Sequence, residues 1–401
     1  MKIAGIVAEY NPFHLGHEYH IRKTREQIGE CAIVCVMSGD FVQRGEPALF
    51  SKYARAEAAC RCGADLVIEL PLPWALASAE RFAAGAVGLL ADMGADYISF
   101  GSETGNTKAI EDTAEVLCGE NYASALKDIL EKEPEISFAA AREKALLKVG
   151  GINCAEIVGR ANDSLAAEYL KAIKCCGFSM RPIAVKREGN GHDEHGGEGL
   201  LSASEIRKRH AGGENISAFL PEAASEVFAD EINAGRIIDK ALFETAALAR
   251  LRSFDREYFN SLPDSKDGLG DRLFKASRSS AGFDELYFAV KTKKYAMSRI
   301  RRAAMCALLG IEEGMSKGRV PYIRVLAANE KGCGLLRKIS DAGETPLITK
   351  PAEIKKYDKK LQHLFAVGVY AADILTLCYA EKSERRGGKE WRISPKIVKD
   401  E

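Results

Sequence analysis

Short apolar runs alternate with amphipathic segments along the first two hundred residues. The runs are rich in valine and isoleucine, which is typical of strands buried on both faces of a parallel sheet. Between them, apolar positions recur every three or four residues, as in helices packed on a sheet. We therefore predict an α/β fold, with a doubly wound, Rossmann-like parallel sheet and a mainly helical C-terminal domain. The strands are expected at 2–8, 32–37, 65–70, 96–100 and 182–186.

The same pattern predicts helices between these strands and a loose division of the chain after the last one. We place the two domains at 1–220 and 221–401, because the strand signal fades beyond that point. A segment rich in glycine and histidine, 189–199, is expected to be a lid over a ligand or a disordered connection. The predicted helices are 18–29, 52–62, 79–92, 110–132, 138–149 and 164–175.

Composition narrows the class of protein. The chain has 401 residues, of which 46% are hydrophobic. Its net charge is zero, so the overall charge does not indicate a nucleic-acid partner. The eleven cysteines form no C-x-x-C pair, which favours a reducing, cytoplasmic location over a disulfide or zinc framework. Because uninterrupted apolar stretches are short, we expect no membrane-spanning helix.

A distinctive segment follows the first strand, where Tyr-Asn-Pro-Phe-His-Leu-Gly-His occupies residues 10–17. Since a helix is expected next, His14 and His17 lie near a helix N-terminus, which favours an anion. Gly16 allows a ligand close to the backbone. Two imidazoles there suit chemistry at the α-phosphate of a nucleotide, since they can stabilise charge on the phosphorus oxygens and the leaving pyrophosphate. The plainer alternative is that they only cap the helix or bind a metal.

A second segment, Ser-Ala-Ser-Glu-Ile-Arg at 202–207, comes after the last predicted strand. Ser202 or Ser204 can cap a helix, and Arg207 then projects from its first turn. The functional interpretation gives Arg207 a triphosphate to hold, since a guanidinium suits phosphate geometry. The structural alternative is a capped amphipathic helix and nothing more.

These segments resemble the HIGH-motif nucleotidyltransferase superfamily, whose second signature is similar to residues 204–207. Further segments narrow the resemblance to the bacterial tRNA(Met) cytidine acetate ligase family, although Ser51 stands where that family commonly has Asp. The resemblance covers most of the chain. Its segments are 9–17, 37–48, 52–57, 63–71, 100–103, 162–163, 186–187, 204–207, 298–302 and 321–326.

The resemblance implies an ATP-dependent ligase whose partners are acetate and elongator tRNA(Met). Such enzymes convert acetate to acetyl-adenylate, release pyrophosphate, and acetylate N4 of the wobble cytidine to form N4-acetylcytidine. His14 and His17 are the expected catalytic residues, and Mg²⁺ is expected with the triphosphate, although no acidic motif identifies protein ligands for it. The expected ATP-binding residues are Val7, Ala8, Glu9, Tyr10, Asn11, Pro12, Phe13, His14, Leu15, Gly16, His17, Glu18, Tyr19, His20, Gly101, Asn162, Arg187, Ser204 and Arg207.

The stretch 291–302 carries six basic residues and no acidic one. Such a stripe can follow an RNA backbone, or it can be an ordinary solvated helix face. Asp40, Arg44 and Lys52 are polar candidates around acetate or the phosphates, and each equally suits a structural ion pair. The expected tRNA-binding residues are Lys291, Lys293, Lys294, Arg299, Arg301 and Arg302.

Two other functions are compatible with the sequence. A small-molecule nucleotidyltransferase shares both signatures but leaves the locally basic helical half without a use. An RNA-binding protein with a vestigial nucleotide site explains the basic stripe, but it leaves His14, His17 and Arg207 together unexplained.

Overall fold

The computed structural model describes residues 1–187, 200–342 and 345–399. Its strands are β1 (Lys2–Ala8), β2 (Cys31–Ser38), β3 (Phe41–Val42), β4 (Glu46–Pro47), β5 (Leu66–Leu70), β6 (Tyr97–Ser102), β7 (Arg181–Lys186), β8 (Ile323–Ala328), β9 (Leu347–Ile348) and β10 (Lys396–Ile397). Its helices are α1 (Leu15–Ile28), α2 (Lys52–Arg61), α3 (Leu72–Ala75), α4 (Ala79–Asp92), α5 (Thr107–Cys118), α6 (Glu120–Lys132), α7 (Phe138–Gly159), α8 (Ala161–Cys176), α9 (Ala203–Ala211), α10 (Glu222–Asn233), α11 (Lys240–Arg252), α12 (Arg256–Ser261), α13 (Leu269–Ser279), α14 (Phe283–Val290), α15 (Met297–Leu309), α16 (Glu330–Ala342) and α17 (Lys359–Leu377).

One sheet organises the molecule, with the strand order β10-β8-β5-β2-β1-β6-β7 and β9 beside β8. All pairings from β5 through β7 are parallel. Alternate residues of β2 point to opposite faces: Val34 and Val36 pack with α4, whereas Ile33 and Cys35 pack with α1 and α2. Because both faces are covered, β2 is apolar at nearly every position. The predicted doubly wound α/β fold is confirmed.

The five predicted strands are confirmed, each displaced by at most two residues at an end. The helices differ more, for backbone reasons. Gly119 divides the expected helix 110–132 into α5 and α6, and α7 continues past the expected end at 149 through a kink at Gly151, whose φ is 76°. Glycine adopts such a φ without the steric cost that other residues meet. Residues 189–199, the expected lid or connection, lie outside the described residues.

The C-terminal half is mainly helical, but it also completes the sheet. Strand β8 pairs antiparallel with β5, and β9 and β10 pair with β8. Our predictions included no strand beyond residue 186. β8 is buried along its whole length, and its short apolar run cannot be told from a buried helix by periodicity alone. The division at residue 220 therefore stays a prediction.

Two further expectations concern the environment of the chain. All eleven cysteines are free thiols in the structure. Among the residues that the structure describes, no helix is long and apolar enough to cross a membrane.

Candidate nucleotide site

The sheet reverses its winding direction beside β1. From β1 the chain proceeds outward through β2 to β5, and it then returns to the other side of β1 with β6 and β7. In open α/β sheets, ligands bind at the carboxyl ends of the strands where the winding reverses. The predicted segment 10–17 follows β1 at this end, and Arg187 follows β7. The fold therefore gathers the predicted site residues around one crevice.

His14 and His17 form the N-terminal cap of α1. The Nδ1 atom of His14 accepts the N–H of Gly16 at 3.0 Å, and Nδ1 of His17 accepts the N–H of His14 at 3.2 Å. A neutral imidazole that accepts at Nδ1 carries its proton at Nε2. Both rings therefore keep an Nε2–H donor for a ligand. The capping contacts are present and fix the tautomer of both rings, and the catalytic role of the two histidines stays a prediction.

Burial keeps these imidazoles neutral. Burial, with the charges of Arg187 and Arg207, lowers the pKa of His14 to about 3. Burial and the neighbouring His14, Arg187 and His20 hold the pKa of His17 well below its ordinary value. Near neutral pH the pair can therefore donate hydrogen bonds without itself carrying charge.

His20, one turn further along α1, has a different environment. Its Nε2 lies 2.9 Å from the hydroxyl of Ser99 on β6, and that hydroxyl lies 2.6 Å from Thr24 Oγ1. Burial and the charge of Arg187 lower the pKa of His20 to about 4. His20 thus joins α1 to β6 and supports the site, whereas its predicted contact with ATP stays a prediction.

Arg207 reaches the loop after β1 from helix α9. Its Nη1 donates to the carbonyl of Asn11 at 2.7 Å, and its Nη2 lies 3.6 Å from Oε2 of Glu46. Ser202, rather than Ser204, caps α9 by accepting the N–H of Glu205. The hydroxyl of Ser204 lies 3.0 Å from that of Ser202.

The second side of the crevice joins Gly101, Asn162 and Arg187. Gly101 lies on β6, and the side chain of Arg187 passes close above it, 3.7 Å from where a Cβ would stand. Arg187 Nη1 donates to Oδ1 of Asn162 at 3.4 Å. Asn162 Nδ2 in turn donates to Glu103 at 2.6 Å, and Glu103 also accepts the N–H groups of Asn162 and Asp163. The predicted set of three therefore lies together.

Two buried cations, Arg55 and Lys52, support the framework of the site. The sequence indicated no role for Arg55. Arg55 is fully buried and donates to the carbonyls of Glu9, Ser38 and Gly39, where β1 and β2 end. It therefore supplies hydrogen-bond donors to carbonyl groups where the two strands end.

Lys52 forms a buried ion-pair network, which is the structural alternative to contact with acetate or the phosphates. Its Nζ lies 3.0 Å from both Glu69 and Glu390 and 3.7 Å from Asp40. Burial opposes its charge, but the three carboxylates outweigh burial and raise the pKa of Lys52 well above its usual value. Tyr53 and the buried Arg324 of β8 also bond to Glu390, so the network ties three distant parts of the chain together.

The predicted basic stripe is not one helix face, because α15 begins only at Met297. Lys291 and Lys293 are exposed in the preceding loop. The other four are half-buried. Lys294 Nζ lies 3.8 Å from Asp267, and Arg299 donates to the carbonyl of Asp264 at 2.8 Å, while Arg301 pairs with Glu46. The tRNA-binding assignment stays a prediction for all six.

Comparison with known proteins agrees with this geometry. Residues 1–390 match the family model described as HIGH Nucleotidyl Transferase. The chain is 35% identical to the tRNA(Met) cytidine acetate ligase of Acetivibrio thermocellus, over 98% of both chains. It is 39% identical to the enzyme of the same name from Thermoanaerobacter sp. (strain X514), over 96% of this chain and 97% of the relative.

Two crystal structures of Thermotoga maritima TmcAL match over the full length of both chains. The apo structure superposes with a TM-score of 0.93 at 30% identity. The structure bound with alpha-thio ATP superposes with a TM-score of 0.91 at 31% identity. With the fold, the site and these relatives in agreement, the chain belongs to the tRNA(Met) cytidine acetate ligase family of HIGH nucleotidyl transferases.

Proposed function

We propose that this chain uses ATP to activate acetate and acetylates N4 of the wobble cytidine of elongator tRNA(Met). The observation that carries the proposal is the pair of neutral imidazoles at the start of α1, with Nδ1 engaged by the backbone and Nε2–H left for a ligand. Uncharged donors there suit an α-phosphate whose oxygens gain charge during substitution. The relatives' name and the ATP analogue bound to Thermotoga maritima TmcAL support the same choice of substrates.

The first step forms acetyl-adenylate. A carboxylate oxygen of acetate attacks the α-phosphorus, the bond to the β-phosphate oxygen breaks, and pyrophosphate leaves. His14 and His17 donate hydrogen bonds from Nε2 to oxygens around the α-phosphorus, while Arg187 and Arg207 hold the charge of the phosphates. The ribose or adenine lies over Gly101, where the missing side chain permits close approach, and beside Asn162.

The second step transfers the acetyl group to RNA. The exocyclic amine of cytidine attacks the acetyl carbonyl, AMP leaves, and the amine loses a proton. AMP retains the phosphate that the two histidines contact, so they stabilise the leaving group in this step as well. The nucleotide site therefore serves both steps without rearrangement of its histidines.

The RNA surface that we propose includes the exposed loop after α14. Lys291 and Lys293 lie there, and Phe288 at the end of α14 has 84% of its surface exposed. Single-stranded RNA loops are recognised by bases stacked on aromatic rings and by cations near the phosphates. Phe288 is next in sequence to Tyr287, and the ring of Tyr287 lies 5.5 Å from the guanidinium of Arg301. Arg301 in turn pairs with Glu46, which also lies beside Arg207. This surface is therefore connected to the nucleotide site.

Magnesium belongs in this proposal as part of the substrate. In the parts of the chain that the structure describes, no group of three or more His, Cys, Asp or Glu side chains could hold a metal ion. Mg²⁺ usually retains several waters and binds substrate phosphates. We therefore assign it to the triphosphate of MgATP and route no step through a resident metal.

Acetate-dependent exchange of labelled pyrophosphate into ATP tests the first step without RNA. Incorporation of labelled acetate into tRNA(Met), with HPLC detection of N4-acetylcytidine, tests the second. Exchange and incorporation that both require acetate support the proposal. Activity with a phosphorylated metabolite in place of acetate would favour a small-molecule nucleotidyltransferase, and tRNA binding without any exchange would favour a vestigial site.

A further inference from the structure

Glu46, in the hairpin formed by β3 and β4, is shared by two arginines from distant parts of the chain. One carboxylate oxygen lies 3.6 Å from Nη2 of Arg207, and the other pairs directly with Nη1 of Arg301 on α15. Arg207 is itself held by the carbonyl of Asn11 in the loop after β1. The carboxylate therefore joins the C-terminal half to the phosphate side of the nucleotide site.

The backbone enforces this approach of the hairpin to α15. A Cβ built on Gly45 would lie 2.5 Å from both the carbonyl carbon of Arg301 and the nitrogen of Arg302. Gly45 also has a φ of 76°, which glycine adopts readily. Since only a residue without a side chain permits this contact, the position of Arg301 is set by main-chain packing and not by a chance encounter of long side chains.

Arg301 retains hydrogen-bonding capacity. Its Nε–H is buried, with no hydrogen-bond partner among the residues that the structure describes. About a third of its side chain is exposed, as it is for Glu46, and a quarter of that of Arg207. A buried donor without a partner costs free energy, so a ligand or a small shift that engages it is favourable.

Two arginines share a single carboxylate at this point. Burial lowers the pKa of Arg207. The charges of Glu46 and Glu9 oppose this shift, whereas those of Arg44 and Arg301 add to it. Burial raises the pKa of Glu9 and so disfavours its charge. Because the guanidiniums of Arg207 and Arg301 share the single carboxylate of Glu46, an anionic ligand would complete the charge of the pair.

We propose that Arg301 is a ligand of the β- and γ-phosphates of ATP, reaching the site from the C-terminal half, and that Glu46 holds Arg301 and Arg207 in register for them. The inference rests on the proposed function only in taking ATP as the nucleotide. It differs from the stripe expected from the sequence, in which Arg301 contacts RNA. An arginine of the C-terminal half that binds the β- and γ-phosphates links ATP binding to the half of the chain proposed to bind tRNA.

A series of nucleotides tests the proposal on the full-length chain. The dissociation constants of ATP and AMP, with Mg²⁺ present, are measured by calorimetry for the wild type, Arg301→Ala and Arg301→Lys. Because a charge-assisted hydrogen bond is lost, ATP should bind roughly tenfold or more weakly to Arg301→Ala, with AMP unchanged. Arg301→Lys keeps the charge and the aliphatic stem but not the planar fork, so it should show a smaller loss confined to ATP.

Arg256→Ala is the matched control, because Arg256 pairs with Asp271 in the same half of the chain, away from the nucleotide residues. It should change neither affinity. Equal losses of ATP and AMP affinity in both Arg301 variants would overturn the proposal and make Arg301 a support of the fold. Unchanged ATP affinity with weaker tRNA binding would also overturn it and return Arg301 to the RNA surface. Failure of acetate-dependent exchange in the wild type would reject the proposed function. The comparison of ATP with AMP affinity would still test whether Arg301 binds the β- and γ-phosphates.

Discussion

The imidazole rings of His14 and His17 lie against each other at a tilt, with 3.8 Å between their centroids and 33° between their planes. Two cationic rings could not share this position, because like charges at that distance repel strongly in a buried site. This close contact, the two backbone hydrogen bonds and the burial that lowers the pKa of each ring therefore specify one protonation state, in which both rings are neutral donors. The first two predictions follow from that state.

His17→Ala should slow adenylate formation far more than it weakens ATP binding. Loss of one donor to developing charge typically costs roughly 10²–10³ in rate. Acetate-dependent pyrophosphate exchange at saturating ATP measures the rate, and calorimetry measures affinity. His363→Ala, at an exposed position on α17, is the control and should leave exchange unchanged. Equal losses of rate and affinity would make His17 a uniform binder instead.

Stability should decline as the pH falls below the ordinary histidine pKa. His14 and His20 titrate in the folded protein at about 3 and about 4, against 6.5 when unfolded. Their contribution is therefore complete above pH 6.5, where both states are neutral, and is lost progressively down to about pH 4, because only the unfolded chain takes up protons there. Each contributes a slope of about 1.4 kcal/mol per pH unit within that window.

Urea unfolding of the ligand-free protein at several pH values checks this expectation. His14→Gln keeps a polar side chain but cannot be protonated, so its free energy of unfolding should fall less steeply than that of the wild type between pH 6.5 and 4. Identical slopes for the two proteins would show that His14 is protonated in the folded state.

Lys52→Met should destabilise the fold strongly. The substitution leaves the buried Glu69 without its cation and leaves Glu390 with Arg324 alone, and loss of one partner from a buried ion pair typically costs about 3–5 kcal/mol. Chemical denaturation measures the change. Lys23→Met removes a partly exposed lysine that pairs with Glu26, and it should stay within about 0.5 kcal/mol of the wild type. A small effect at Lys52 would mean that the carboxylates are protonated or reach solvent.

Phe288→Ala should weaken tRNA binding without altering its salt dependence, whereas Lys291→Ala with Lys293→Ala should make the salt dependence shallower. Stacking of a base on an aromatic ring contributes roughly 1–3 kcal/mol and releases no counterions, but each phosphate contact in a single strand contributes a slope of about 0.7. tRNA affinity measured at several salt concentrations separates the two effects. Phe138→Ala, an exposed phenylalanine on α7, is the control. Unchanged affinity in all the variants would place the RNA surface elsewhere.

Local patterns predict local structure, and the nucleotide site shows how far this extends. Strand β1, the turn and the capped start of α1 follow one another along the chain, so hydrophobic periodicity and the His-x-Gly-His spacing were enough to predict them. Arg207 was found because its own helix start has a recognisable cap. Each of these signals is complete within about ten residues.

Long-range contacts leave no such signal. Glu46 and Arg301 are 255 positions apart, and neither residue type nor spacing indicates that they meet. Lys52 was equally compatible with a phosphate or an ion pair, and the choice depends on Glu390, which arrives from the far end of the chain. β8 was missed for a related reason, since a short apolar run becomes a strand only when an existing sheet edge accepts it.

That late strand has a consequence for how the protein comes into being. Asn329, directly after β8, bonds to Asp65, directly before β5, and 264 positions separate them. A nascent chain therefore presents β5 with an open, apolar edge until most of the polypeptide has left the ribosome, and such an edge invites pairing with another chain. A fragment that ends at the predicted division near residue 220 would keep this edge permanently, so premature termination should yield an aggregating product and not a free-standing nucleotide-binding unit.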